Sequence, residues 1–198
     1  MLYRLFLSLF IALLFGRAAP NAQEFTPSEY QVKAAFLYNF LKFVEWPPSI
    51  YPKDPSDLSV CVLGEDPFGT ALDAMKENAV QGKMIAIKRT NNLINIKECS
   101  VIFISASEKK NIGDILLFLK NSPVLTISDI EGFAEAGGII EFVRENGKVR
   151  FKINIGAAKQ ARLNISSKLL RLAHIVGSKG DAQPFQQNPP QHAQSSGE

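Results

Sequence analysis

The apolar positions of this chain change period twice. From Tyr30 to Val44 they recur at helical spacing, then come short continuous apolar runs separated by turn residues, and after Gly138 apolar and polar residues alternate. Each period predicts a different element. For the first, Thr26 followed by Glu29 reads as a capping box with Pro27 at the opening helical position, and Trp46-Pro47-Pro48 reads as the stop. Wound as a helix, Gln31, Asn39, Lys42 and Glu45 share one side, while Val32, Phe36, Leu37, Phe40, Leu41, Phe43 and Val44 cover the other. A polar stripe of that kind does not suit a membrane span, so the apolar side is a core or dimer-packing face. Lys33 points into the middle of that side. Near a helix start its stem can snorkel past the end, the alternative being a buried or interface charge.

After "PPSIYPKDPSD" strands and helices alternate. "LSVCVLG", "MIAIK", "SVIFIS" and "VLTIS" read as buried strands, "DPFGTALDAMKEN" as a helix started by Asp66, and the stretch from about Glu108 to Lys120 as another. "GGIIEFV", Asn146-Gly147 and "KVRFKINI" form a hairpin signal, with Phe151, Ile153 and Ile155 facing in and Arg150, Lys152 and Asn154 facing water. "AAKQARLNISSKLLRLAHIV" reads as a final helical region capped by Ser166 or Ser167. The expected fold class is α/β: a mostly parallel sheet flanked by helices on both faces, with a C-terminal antiparallel β-hairpin and a final helix.

The amino terminus changes the cellular picture. Arg4 precedes the apolar block Leu5 to Phe15, which small residues follow, the pattern of a secretory signal peptide; the block is too short for a bilayer, which takes roughly 20 apolar residues. The expected organisation is a signal peptide over 1–22, one domain over 23–177 and a disordered tail over 178–198, since the tail lacks any periodicity. At 198 residues, 46% hydrophobic and 21% charged, the composition is that of one ordinary globular domain. The formal charge of +3 falls further when Arg4 and Arg17 leave with the leader, so no nucleic-acid partner is expected.

Candidate chemistry is sparse. Cys61 and Cys99 are the two cysteines. In an oxidising compartment such a pair invites a disulfide, against the alternative of two buried thiols, and without nearby His it does not make a metal site. "GEDPFGT", Gly64 to Thr70, lacks the lysine of a phosphate loop, and Glu65 and Asp66 would repel phosphate. His174 is the one histidine ahead of the tail, and no G-x-S-x-G occurs. No catalytic set, cofactor or metal is expected.

The segments "EYQVKAAFLYNFLKFVEWP", "CVLGEDPFG", "CSVIFIS", "VLTISDIEGFAEAGGIIEF", "VRFKIN" and "ISSKLLRLA", in this order from about Glu29 to Ala173, resemble the YfiR family. The resemblance implies a small periplasmic regulator, with no enzyme activity of its own, that binds the periplasmic part of an inner-membrane diguanylate cyclase and holds it inactive, lowering cyclic di-GMP and disfavouring biofilm. Cys61 and Cys99 fall where that family places a disulfide pair. The second pair that some relatives carry in the hairpin region is absent between Ile139 and Lys152.

Two site expectations follow. A partner would dock on the hairpin and the segment after it: Glu141, Arg144, Arg150, Lys152, Gln160 and Arg162 as polar contacts, Leu163 and Ile165 as apolar anchors. If the domain is instead a small-molecule sensor acting on another membrane signalling protein, a ligand would lie at the carboxyl ends of the strands near Gly64, Ser105 and Ser128, with Arg171 and His174 as further candidates.

Overall fold

A computed structural model describes residues 28–47 and 57–177. The expected signal peptide (1–22), the tail (178–198), the Thr26-Pro27 pair and most of the Pro-rich loop lie outside the described residues. Helix α1 spans Glu29–Phe43 and is capped by Ser28, not Thr26: the Ser28 hydroxyl accepts the Gln31 N–H at 3.3 Å, and the Gln31 side chain accepts the Ser28 N–H at 2.7 Å. The capping-box grammar is the expected one, shifted along the chain. The helix stops before Trp46, because Val44–Glu45 (β1) turns extended and pairs antiparallel with Asn164–Ile165 (β9).

The parallel part of the main sheet is β2 (Asp57–Leu63), β4 (Lys83–Thr90), β5 (Val101–Ile104), β6 (Leu125–Ser128) and β7 (Ile140–Glu145). β8 (Lys148–Asn154) returns antiparallel to β7 through the expected Asn146-Gly147 turn, whose φ values of 50° and 74° are those of a type I′ hairpin. β3 (Ala79–Val80) is a short antiparallel edge on β4, made by the Gln81-Gly82 turn. A last strand, β10 (His174–Val176), lies parallel to β8. The eight strands thus stand in the order β10-β8-β7-β6-β5-β2-β4-β3.

Both faces of the sheet are covered. Val60, Val62, Val101, Phe103, Leu125, Ile127, Ile140 and Phe142 meet α1 on one face, where Phe36 and Phe40 pack their rings against Phe142 and Phe151 at centroid distances of 5.1–6.1 Å. On the other face Leu63, Ile102 and Ile104 pack against Ile96 and against Ile112 and Ile115 of α2 (Ile112–Phe118). Cys61 and Cys99 lie in this second layer and are bonded, joining β2 to the turn that leads into β5. The mixed, mostly parallel α/β architecture is the expected one.

Three local expectations are corrected. The helix foreseen from Asp66 is a pair of short 3-10 turns, Gly69–Ala71 and Asp73–Met75. Asp66 spends its carboxylate on the Phe68 N–H, and Gly69 takes φ 54°, which ends any α-helical path. The final helical region breaks into α3 (Ile155–Gln160), β9, α4 (Ser167–Leu170) and the strand β10, because Arg162 turns left-handed at φ 57° and Ile175-Val176 pair parallel with β8. Asn154 is buried, not wet: its side chain caps α3 through the Ala157 N–H at 2.8 Å and donates to the Ala134 carbonyl at 2.7 Å.

Candidate functional site

The most heavily charged part of the interior surrounds the loop 129–138, which leaves the carboxyl end of β6. Toward α1 the loop is held by Lys33. Its ammonium lies 2.6 Å from Asp129 and 2.7 Å from Glu29, and the residue is 4% exposed, so the charge is buried and not snorkelled. Tyr30 donates to the same Asp129 oxygen at 2.9 Å. Burial pulls the Lys33 ammonium down, but the hydrogen bonds to Asp129 and Glu29 outweigh it and hold the group above its ordinary value. Burial, followed by the bond to Asp129, pushes the Tyr30 hydroxyl up.

On the opposite face of the sheet the loop rests on Glu141. This carboxylate is 1% exposed and accepts the Gly132 N–H at 3.2 Å and the Ala134 N–H at 2.9 Å. Lys152, its cross-strand neighbour, lies 3.2 Å from Glu141 and 2.8 Å from Glu135. Gly138 closes the loop against the Phe133 ring, with no room for a Cβ. The loop is thus stitched to α1 by one charged cluster and to β7 and β8 by another.

Burial pushes the Glu141 carboxyl above its ordinary range, whereas for Glu135 the Lys152 ammonium overcomes burial and holds the group below it. Glu141 therefore binds its proton more tightly in the folded state than in the unfolded chain. The stability this supplies is fully present below the unfolded value, about pH 4.3, and is lost as pH rises through the higher folded value; Glu135 contributes with the opposite sign. The advantage of the wild type over Glu141→Gln in urea unfolding is expected to be largest below about pH 4.3 and to shrink as pH rises through the higher folded value. A difference that stays flat over that range would mean that Glu141 titrates as it does in the unfolded chain.

The residues expected to form one docking surface are not brought together. Glu141 is buried under the loop, and Leu163, 5% exposed, is a core side chain; neither is available as a surface contact. Ile165 is half-buried in the β1-β9 pair. Arg144 lies on the α1 face, 3.4 Å from Glu29, while Arg150 is opposite Val143 and so projects on the other face. Gln160, the last residue of α3, and Arg162, just after it, are exposed. At the carboxyl ends of the strands, the Ser128 hydroxyl is fully buried, donating to the Ile104 carbonyl at 2.7 Å and accepting the Ile130 N–H at 3.1 Å. Ser105 is also buried, and the turn carrying Ser107 and Glu108 crowds Gly64. The expected crevice is therefore filled by the protein itself. Arg171 and His174 are exposed at the β10 edge, three strands or roughly 14 Å from β6. His174 stands on a strand, not a helix, 3.1 Å from Glu145.

Sequence reasoning missed Lys33 with Asp129 as a pair, and Glu135 with Lys152. The one available signal was a lysine in the middle of an apolar helix face, which demands a buried acid somewhere in the chain.

The family model described as YfiR/HmsC-like matches residues 30–174. The chain belongs to the YfiR/HmsC-like family. No curated protein matches it. Among solved structures it is similar to a conserved domain protein from Vibrio cholerae O1 biovar El Tor strain N16961, at 13% identity and a TM-score of 0.47 over 75% of this chain; the match spans 60% of that protein's length. The Cys61–Cys99 bond and membership of the YfiR/HmsC-like family fit a periplasmic location. No helix among the described residues is long and apolar enough to cross a membrane.

Proposed function

We propose that this YfiR/HmsC-like protein is a periplasmic regulator, not an enzyme, that binds the periplasmic part of an inner-membrane diguanylate cyclase and holds it inactive. In this reading residues 1–22 are a cleaved leader and the domain over 23–177 is the binding unit. The observation that carries the proposal is the family match, which runs through nearly all of the described chain. Deleting the gene is expected to raise cellular cyclic di-GMP several-fold, and the purified protein to bind the periplasmic domain of the cyclase encoded beside it. Unchanged cyclic di-GMP together with no binding would sink this function. Of the docking candidates, Arg150 and Arg162 are the exposed charges with no ion pair among the described residues, and so the cleanest to test. Charge reversal at both should leave stability within about 0.5 kcal/mol, as exposed substitutions usually do, while relieving inhibition.

A second reading is favoured by one observation. Ala34, Ala35 and Tyr38 of α1 and Ala71, Ala74 and Met75 of the facing turns line an open, mostly apolar groove of about 490 Å³ with Gln31, Thr70 and Asn78 at its rim. That volume is within the range of small-molecule sites. A regulator whose partner affinity is tuned by a small amphipathic molecule would take it there, and not at the strand ends.

A further inference from the structure

The two edges of the sheet are built differently. At one edge β3 shields only the start of β4, and beyond it β4 carries the exposed charges Lys88 and Arg89, the usual protection against strand addition. At the other, the outer side of β10 has no strand paired to it among the described residues. Its sequence, His174-Ile175-Val176, contains no Lys or Pro and is flanked by apolar groups that the core leaves out: Leu172 is 68% exposed and Ile175 42%. Arg150, two residues ahead of the Lys152–His174 pair on β8, and Lys168 and Arg171, just ahead of β10 in the chain, are exposed, and none makes an ion pair among the described residues. The nearby acid Glu145 is occupied by His174.

We propose that the outer edge of β10 is a docking edge that takes an extended acidic and apolar segment of the signalling partner as a further strand of the sheet. This rests on the regulatory reading above and specifies how the partner is held. Main-chain hydrogen bonds to β10 supply the pairing, Ile175 and Leu172 the apolar contacts, and Arg150, Lys168 and Arg171 the selection for acid. The same charges decide against a second copy of this chain, since pairing β10 with itself sets like charges against like. β10 pairs with β8 over Lys152 to Asn154, and Lys152 in turn holds Glu141 and Glu135, so an added strand would bear on the tether of the loop 129–138.

The test uses the full mature chain and two synthetic heptapeptides, one alternating Glu with Val and one alternating Lys with Val, with amide hydrogen exchange as the readout. The expected result is protection of the 174–176 amides by the Glu peptide, at least tenfold tighter than by the Lys peptide. Binding should be weakened at least tenfold by Arg150→Glu with Arg171→Glu and abolished by Ile175→Asp, all with unchanged circular dichroism. Equal binding of both peptides, or none at millimolar concentration, would overturn the proposal. So would a concentration-dependent dimer lost in Ile175→Asp, which assigns the edge to a second copy, or amide protection in the free chain that vanishes on truncation after Gly177, which assigns it to the protein's own tail. The cyclase periplasmic domain separates the two proposals: if it binds without protecting 174–176 the docking edge falls alone, and if the Glu peptide binds but the cyclase domain does not, the regulatory function falls alone.

Discussion

Replacing Cys61 and Cys99 together by Ala is expected to destabilise the fold by about 4 kcal/mol. The bond closes a loop with a sequence separation of 38 residues. Fixing the ends of a loop of that length in the unfolded chain removes on the order of 13 cal/mol/K of entropy in the chain-entropy model, which is about 4 kcal/mol at room temperature. Native packing changes little by comparison, because both sulfurs sit in a layer with Leu63, Ile96 and Ile102 that persists without them. Urea unfolding of the oxidised wild type and the double variant measures the difference directly. A loss under about 1 kcal/mol would mean that the unfolded chain without the bond is already compact around this loop. Since Cys61 and Cys99 are 1% and 3% exposed, reductant should act on the native protein only as fast as the protein opens.

Asp129→Ala is expected to cost about 3 kcal/mol, because it leaves the Lys33 ammonium buried with one partner fewer. The figure is at the low end for a broken buried pair, since Glu29 remains 2.7 Å away and is partly hydrated. Tyr30 loses its acceptor in the same step. The double variant Lys33→Met with Asp129→Asn removes the stranded charge and keeps a hydrogen-bond acceptor for Tyr30, so it should recover most of the loss. Thermal unfolding of wild type, single and double variants decides the point. For a domain of this size the single change corresponds to roughly 10 °C. A double variant no better than Asp129→Ala would show that the acid acts through loop geometry and not through the buried charge.

The sequence showed the parallel strands and the hairpin because both are local signals. β5 is a continuous apolar run, β2 and β6 are short strands rich in β-branched and apolar residues, and Asn146-Gly147 satisfies the left-handed turn on its own. The charged clusters were not legible. Lys33 and Asp129 are 96 residues apart, and nothing in either neighbourhood points to the other. The fate of Glu141 turned on what covers the second face of β7. Alternation placed it opposite Phe142 correctly, but a strand pattern does not reveal that a loop folds over that face and supplies two N–H groups. The three-residue strand β10 was hidden for another reason: Leu169 and Leu172 keep a helical spacing into it, and only the pairing with β8 decides in favour of extended backbone.

The packing of α1 also constrains the order in which the chain can mature. Its rings dock on Phe142 and Phe151, and β1, immediately after it, pairs with Asn164 and Ile165. Synthesis therefore delivers the longest described helix first and the last part of its seat more than a hundred residues later. During that interval part of the helix face lacks its partner, and a nascent chain stopped before β8 leaves Phe36 and Phe40 without Phe151 and more open to aggregation.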